Sequence, residues 1–567
     1  MAGVIPAGTG RSNRLALWHG LAVLLAVFTY FYGLDSEHIP KNGDEFPYEH
    51  ITRVTAASGR LLPLQSEIEG TRNTKPPMLF WQGIASTNWS ERWTLWDLRW
   101  PGVVYTLMTA AMVGLLGWKL SGQLETGLVA LLTYLAFFST YRYGRPFLTD
   151  APSVFWLFVP WFALLMWRRT LDESRLMALP VLGLFVGIGL LYRSFALLLP
   201  VGVCLTWWCL RERRYRIGVF LTRDAAPLLL LAVVALGVFG VWFAFDPDPG
   251  AVMREFVLRE NAGKFDAPDG YLLNFLWGAS SIWRLVIAYP LNAGLLLFPV
   301  IALFVVGYKR RAELGDDEVL LWMWVVALFV VFALPSQRDE RYLLPGMPAV
   351  AVLCAINRDR LGVHAFRASL GVTFVAVSVL AYLAFRLDAG VPGDRLYSVG
   401  YWLLMTLAAA SALGAFLRPQ LAPVGLSIAV LLTFLGFAAL VRPLDNGLGK
   451  YSQNVQDMVG NQTVWVPANF VAREEGHRFL LPGADVRGYP SNPGVTVTDL
   501  AARYPLFAIT VPMTTSTVTG GAIVGQRLDI GTRHTPQQIR EMLRGNVFEH
   551  LFVKELLVES STASPAR

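Results

Sequence analysis

Apolar residues run in long blocks along most of this chain, and polar residues gather in the gaps between them. The blocks lie near 15–34, 100–119, 124–141, 151–167, 176–191, 195–210, 225–245, 285–307, 319–334, 343–357, 365–386, 397–417 and 421–442. Each can cross most or all of a hydrocarbon core ~30 Å thick at about 1.5 Å per helical residue. The pattern predicts about thirteen spanning helices. The 176–210 stretch, broken at Tyr192-Arg193-Ser194, reads either as two short spans or as a re-entrant pair. The first block is longer than a signal-peptide core and lacks a small-residue cleavage site, so it reads as a retained span.

Two regions depart from this pattern. Residues 35–98 are too hydrophilic to span and carry two helix signals. One covers Phe46–Ser58, opened by Asp44 and Pro47 and stopped by Gly59; the other starts at Pro76-Pro77 and runs through Met78, Leu79, Trp81 and Ile84. Trp89, Trp93, Trp96 and Trp100 then crowd the return to the membrane, as interfacial tryptophans do. Residues 445–567 change to strand-like runs at Thr463–Val466, Leu506–Val511 and Ala522–Leu528, a helix capped at Thr535-Pro536 and running to about Leu551, and a last strand at Phe552–Val558. The final Ser/Thr/Ala/Pro residues read as a frayed tail. The expected architecture is a polytopic all-α membrane protein, residues 1–444, followed by a C-terminal extracytoplasmic α/β domain, residues 445–567.

Composition supports this reading: 54% of residues are hydrophobic and only 16% charged, against about 25% in soluble chains. The formal charge of +7 is no nucleic-acid signal, because the arginines punctuate the gaps between apolar blocks. Arg11 and Arg14; Arg168, Arg169 and Arg175; Arg211, Arg213, Arg214, Arg216 and Arg223; Lys309, Arg310 and Arg311; and Arg358, Arg360 and Arg367 fall in alternate connections. Those connections are therefore assigned to the cytoplasm, which puts the 35–98 loop and the C-terminal domain outside. Cys204, Cys209 and Cys354 lie in apolar blocks and imply no disulfide framework or zinc-finger spacing.

With this orientation, some cations stand on the side that topology disfavours: Lys75, Arg142, Arg145, Arg193, Arg338 and Arg341. Acidic and polar groups accompany them at Asp44-Glu45, Asp150, Glu260-Asn261 and Asp339-Glu340. Snorkelling and loop ion pairs can account for any one of these. A whole set gathered on one rim points to a site, since charge at membrane depth is costly. Cations there suit a lipid phosphate, and carboxylates suit a general base or a partner for positive charge developing on a sugar.

The same residues carry a family resemblance. Gly43-Asp44-Glu45, the helix ending in Ala57-Ser58-Gly59, Lys75-Pro76-Pro77-Met78-Leu79-Phe80-Trp81, Phe147-Leu148-Thr149-Asp150-Ala151-Pro152, Arg193-Ser194, Glu260-Asn261 and Arg341-Tyr342-Leu343-Leu344-Pro345 occur in order. Together they resemble the lipid A aminoarabinose transferases and protein O-mannosyltransferases, members of the GT-C class of membrane glycosyltransferases. The resemblance implies a sugar transferred from a polyprenyl-phosphate donor to a lipid, glycan or protein acceptor, at the outer face of a bacterial cytoplasmic membrane. It implies Asp44 as the catalytic carboxylate, with Glu45 beside it and Asp150 as the second acidic residue. It assigns the donor phosphate to Lys75, Arg193, Arg341 and Tyr342, and makes Glu260 and Asn261 acceptor-side or site-lining residues. The chain departs from the family at Thr74 and Asn261, where many members carry Glu and His. Neither is a strong zinc ligand, so no metal site is expected, although Asp44, Glu45, Asp150 and Glu260 could still gather around magnesium or manganese. The alternative is a flippase for a lipid-linked sugar. Internal repeats and midplane charges would favour it, and the chain shows neither.

Overall fold

The computed structural model describes residues 9–561 apart from residues 41, 267–269, 391–394, 492–494 and 532–533, with side chains from Trp18 onward, His19 excepted. The expected tail, 562–567, lies outside the described residues. A helix stands at each of the thirteen expected positions, from Thr9–Phe31 to Ala422–Pro443. Eight helices among the described residues are long and apolar enough to cross a membrane, and the chain is a multi-pass membrane protein. The positions differ in length: Met347–Ile356 has ten residues, about 15 Å at helical rise. The 176–210 stretch forms two helices, Arg175–Tyr192 and Leu198–Glu212, which meet at Arg193-Ser194.

Small residues set how closely these helices approach. Helix Arg175–Tyr192 packs on Ala225–Phe245 through Gly183 and Gly187, where an added Cβ would lie 2.6 Å from the Leu231 carbonyl oxygen and 2.6 Å from Val238 Cβ. This is the small-xxx-small contact that membrane helices use where hydrophobic burial does not distinguish lipid from protein. The opposite face of Ala225–Phe245 leaves Leu229 and Val233 exposed, as a lipid-facing surface requires.

Helix direction separates two ends of the bundle. Helix Asp150–Met166 runs from Asp150 to the Arg168 connection, and Arg175–Tyr192 returns to Arg193. At the far end Arg168 reaches Glu212 at 3.1 Å, Arg213 reaches Asp224 at 2.7 Å, and Arg175 reaches Asp224 at 2.5 Å. Asp150 and Arg193 therefore share the near end.

The 35–98 region contains helices Glu45–Ala57 and Met78–Ser86, close to the predicted spans. They touch tightly at Gly83, where a Cβ would meet Phe147 Cζ at 2.7 Å and Thr52 Cγ2 at 2.9 Å.

The C-terminal region forms one mixed five-stranded sheet in the order β2-β1-β3-β5-β4. The strands are β1 (Thr463–Ala468), β2 (Asp485–Pro490), β3 (Leu506–Val511), β4 (Gly521–Ile530) and β5 (Phe552–Ser560). β1 pairs parallel to β2 and β3, while β5 pairs antiparallel to β3 and β4. β2, whose Asp-Val-Arg-Gly-Tyr-Pro sequence lacks a hydrophobic run, is the strand not expected from sequence. The predicted helix to Leu551 is two helices, Pro536–Arg544 and Val547–Leu551, because Gly545 adopts a φ of +114° and ends the first. Thr535 and Gln538 form the capping box at its start.

Candidate active site

A cavity of about 1510 Å³ opens at the near end and continues along helix Leu198–Glu212. Asp44, Lys75, Arg193, Glu260, Asn261, Arg341 and Tyr342 line its polar end, and Leu199, Val203, Trp207 and Leu210 line an apolar lane at helical spacing. From Leu197 to Leu210 that lane follows the helix for about 20 Å.

Asp44 immediately precedes helix Glu45–Ala57, where the dipole favours an acidic side chain, yet it makes no side-chain capping bond. Its Oδ2 instead accepts from Arg341 Nη1 at 2.5 Å. Arg341 Nε donates to both Asp150 oxygens at 3.0 Å, and Arg193 Nη1 donates to Asp150 Oδ1. Asp150 itself is 1% exposed and does not line the cavity. It pairs with both arginines from outside the cavity lining, a place from which it can position them. Arg341 follows Asp339, whose side chain accepts from the Arg341 backbone N–H at 2.9 Å and fixes the turn.

Lys75 Nζ donates to Glu260 Oε1 at 2.8 Å, and Lys264 Nζ lies 3.5 Å from the same oxygen. Burial alone would raise the Glu260 carboxyl, but the charges of Lys75 and Lys264 outweigh it and hold its pKa below the usual value. Burial pulls the Lys75 ammonium down, whereas Tyr48 and Glu260 more than compensate and keep it above the ordinary lysine value. Lys264 moves the other way, lowered by burial and by the like charge of Lys75. Glu260 and Asn261 end a π-helical run, Met253–Asn261, a rare geometry that re-aims side chains. Asn261 donates to the Phe256 carbonyl at 2.8 Å and accepts from Ser194 at 2.7 Å, which joins this segment to the Arg193 turn. The Tyr342 ring stands 6.0 Å from the Arg193 guanidinium and 5.9 Å from Lys264 Nζ.

Glu45 is not brought to the site. It is buried, takes a two-pronged bond from Arg99 (2.7 and 3.0 Å) and accepts from the Phe147 N–H at 2.7 Å. One helical step from Asp44 turns it inward, and Arg99 supplies the charge it needs there. Two of the misplaced cations are structural as well. Arg145 donates to the Tyr30 carbonyl at 3.1 Å and lies over the Tyr141 ring, and Arg338 donates to the Ala333 and Ser280 carbonyls. Lys264 is the site residue that sequence reading missed. As a lysine on the disfavoured side, four positions after Glu260, it meets the same criterion that singled out Lys75.

Among the described residues no three His, Cys, Asp or Glu side chains converge as ligands. Asp44 and Asp150 turn to Arg341, and Glu260 turns to two lysines, so the carboxylates already face cations.

Known proteins share parts of this sequence and its fold. The sequence profile of the dolichyl-phosphate-mannose-protein mannosyltransferase family matches residues 40–246, the stretch that holds Asp44, Lys75, Asp150 and Arg193. The undecaprenyl phosphate-alpha-4-amino-4-deoxy-L-arabinose arabinosyl transferase 1 of Sodalis glossinidius is 26% identical over 397 residues, 68% of each chain. The apo crystal structure of ArnT from Cupriavidus metallidurans superposes with a TM-score of 0.60 at 15% identity, over 98% of this chain and 100% of that one. The same protein bound to undecaprenyl phosphate gives 0.59, also at 15% identity, over 97% and 99%. Fold and relatives mark the chain as a membrane glycosyltransferase that resembles the GT-C class. Within that class the chain resembles the aminoarabinose transferases and the protein mannosyltransferases.

Proposed function

We propose that this chain transfers a sugar from an undecaprenyl-phosphate-linked donor to a hydroxyl of a lipid acceptor at the outer, periplasmic face of the cytoplasmic membrane. One observation carries the reading: a single cavity joins an apolar lane about 20 Å long to fixed cations and to the Asp44 carboxylate. A polyprenyl tail fits the lane, its phosphate fits Lys75, Arg193 and Arg341, and the sugar then lies beside Asp44. The aminoarabinosyl transferases among the relatives support an amino-pentose as the first sugar to test. The arginine network at the opposite end supports the sidedness, since basic connections stay in the cytoplasm.

In this mechanism Asp44 accepts the proton of the acceptor hydroxyl as its oxygen bonds to the anomeric carbon. The bond from that carbon to the phosphate oxygen breaks, and undecaprenyl phosphate leaves with one more negative charge. Lys75 and Arg193 meet that charge, while Asp150 holds Arg193 and Arg341 in place. In this reading Lys75, Lys264, Arg193 and Arg341 face the phosphate charge, and no divalent ion is assigned a role.

Mass spectrometry of envelope lipids from cells with and without the protein tests the assignment. A sugar unit missing from one acceptor lipid when the protein is absent supports it. An unchanged lipid profile refutes it.

A further inference from the structure

The cavity is walled on one side by the C-terminal region. Phe470 and Val471 line it, carried on the turn that follows β1. Phe470 is 81% exposed. A lone exposed phenylalanine means little, but this one borders the reaction cavity from a turn that is firmly held. Ala472 is fully buried with a φ of +54°, and its N–H donates to the Asn469 carbonyl at 3.1 Å. The Val471 N–H donates to Asn469 Oδ1, also at 3.1 Å.

Three residues beyond Ala472 the chain is bolted to the helix that Asp44 precedes. Glu475 is fully buried and accepts from His50 Nδ1 at 2.8 Å and from Arg53 at 2.6 and 3.0 Å. His50 Nε2 accepts from the Glu67 N–H at 3.0 Å, so the imidazole proton sits on Nδ1 and points at Glu475. Phe479 stacks on Trp93 with ring centroids 6.1 Å apart, and a Cβ on Gly476 would touch the Phe46 ring at 3.1 Å. The turn that carries Phe470 is therefore tied to the helix that Asp44 precedes.

On the donor reading proposed above, the prenyl chain fills the lane at Leu199 and Val203 and its phosphate meets the cations. The cavity lining also includes Pro47, Val471 and Phe470, an apolar part of the wall that comes partly from the C-terminal region. We infer that this wall is the acceptor subsite and that Phe470, from the C-terminal domain, packs against the apolar or ring face of an amphiphilic lipid acceptor. The C-terminal domain is then part of the active site, and the Glu475 clamp keeps its contribution in register.

The test uses the purified full-length chain with undecaprenyl-phosphate-linked aminoarabinose as donor and lipid A as acceptor, each titrated separately. Phe470→Ala raises the acceptor KM roughly fivefold or more and leaves kcat and the donor KM unchanged. Phe470→Trp keeps the native acceptor KM. An unmoved acceptor KM in Phe470→Ala, or a change in the donor KM or in kcat instead, overturns the inference. The native chain separates the two proposals: no turnover by it defeats aminoarabinose and lipid A as the substrate pair, whereas native turnover with an unmoved acceptor KM in Phe470→Ala defeats the acceptor subsite alone.

Discussion

At the residue scale the site is a set of paired charges, and the pairings decide which groups can act. Asp44 is half-exposed and shares a single guanidinium bond, so it keeps a face for an acceptor hydroxyl. General-base assistance contributes about 10²–10⁴-fold, so Asp44→Asn lowers kcat by that order while the protein folds normally. Near-native turnover in Asp44→Asn moves the base elsewhere. Lys75 and Arg193 reach the cavity with donors to offer a phosphate, and a charged hydrogen bond contributes roughly 1.5–3 kcal/mol. Lys75→Ala and Arg193→Ala each reduce kcat/KM for the donor about tenfold or more, read from a donor titration. Unchanged values remove these two residues from the phosphate site. Much of this set was legible in the sequence, because topology marks a misplaced cation before any contact is known. What a misplaced cation touches was not legible. Arg145 and Arg193 break the same rule, yet one caps carbonyls and the other faces the cavity. Likewise nothing in the dipeptide Asp44-Glu45 says which carboxylate turns inward, since Arg99, the partner that decides it, lies 54 residues away.

At the element scale, long helices and the C-terminal strands with continuous apolar runs could be read from periodicity alone. β2 could not: it is an edge strand exposed at four of its six positions, and its own sequence is mixed. The same limit hid the contact between the C-terminal region and helix Glu45–Ala57, a tie across more than 400 residues made by three side chains. Burial would raise the Glu475 carboxyl, but the hydrogen bonds from His50 and Arg53 and the Arg53 charge outweigh it and hold its pKa at about 2. A carboxyl held below its ordinary value stabilises the fold above that ordinary value and loses the contribution as pH falls toward its folded pKa. The clamp is thus complete above pH ~4.5 and fades toward about 2. At neutral pH Glu475→Gln unfolds at lower temperature than the native chain, and the gap closes as pH falls through that window. A gap that is constant with pH contradicts the clamp.

At the scale of the whole molecule, the bundle separates an arginine-rich end from an end that holds the cavity and the sheet domain. On the proposed reading, in which lysines and arginines face the donor phosphate, transfer proceeds undiminished in EDTA. Activity lost in chelator and restored by one divalent ion would show that an ion, rather than Lys75 and the arginines, balances the phosphate. The central claim is bond chemistry at the cavity rim, as opposed to movement of a lipid-linked sugar across the membrane. The most direct measurement reconstitutes the purified chain in liposomes with undecaprenyl-phosphate-linked aminoarabinose and lipid A, and follows the acceptor by mass spectrometry. The account predicts a gain of one sugar mass on the acceptor with the native chain and none with Asp44→Asn. An unmodified acceptor, with donor redistributed between the leaflets by the native chain, would contradict it.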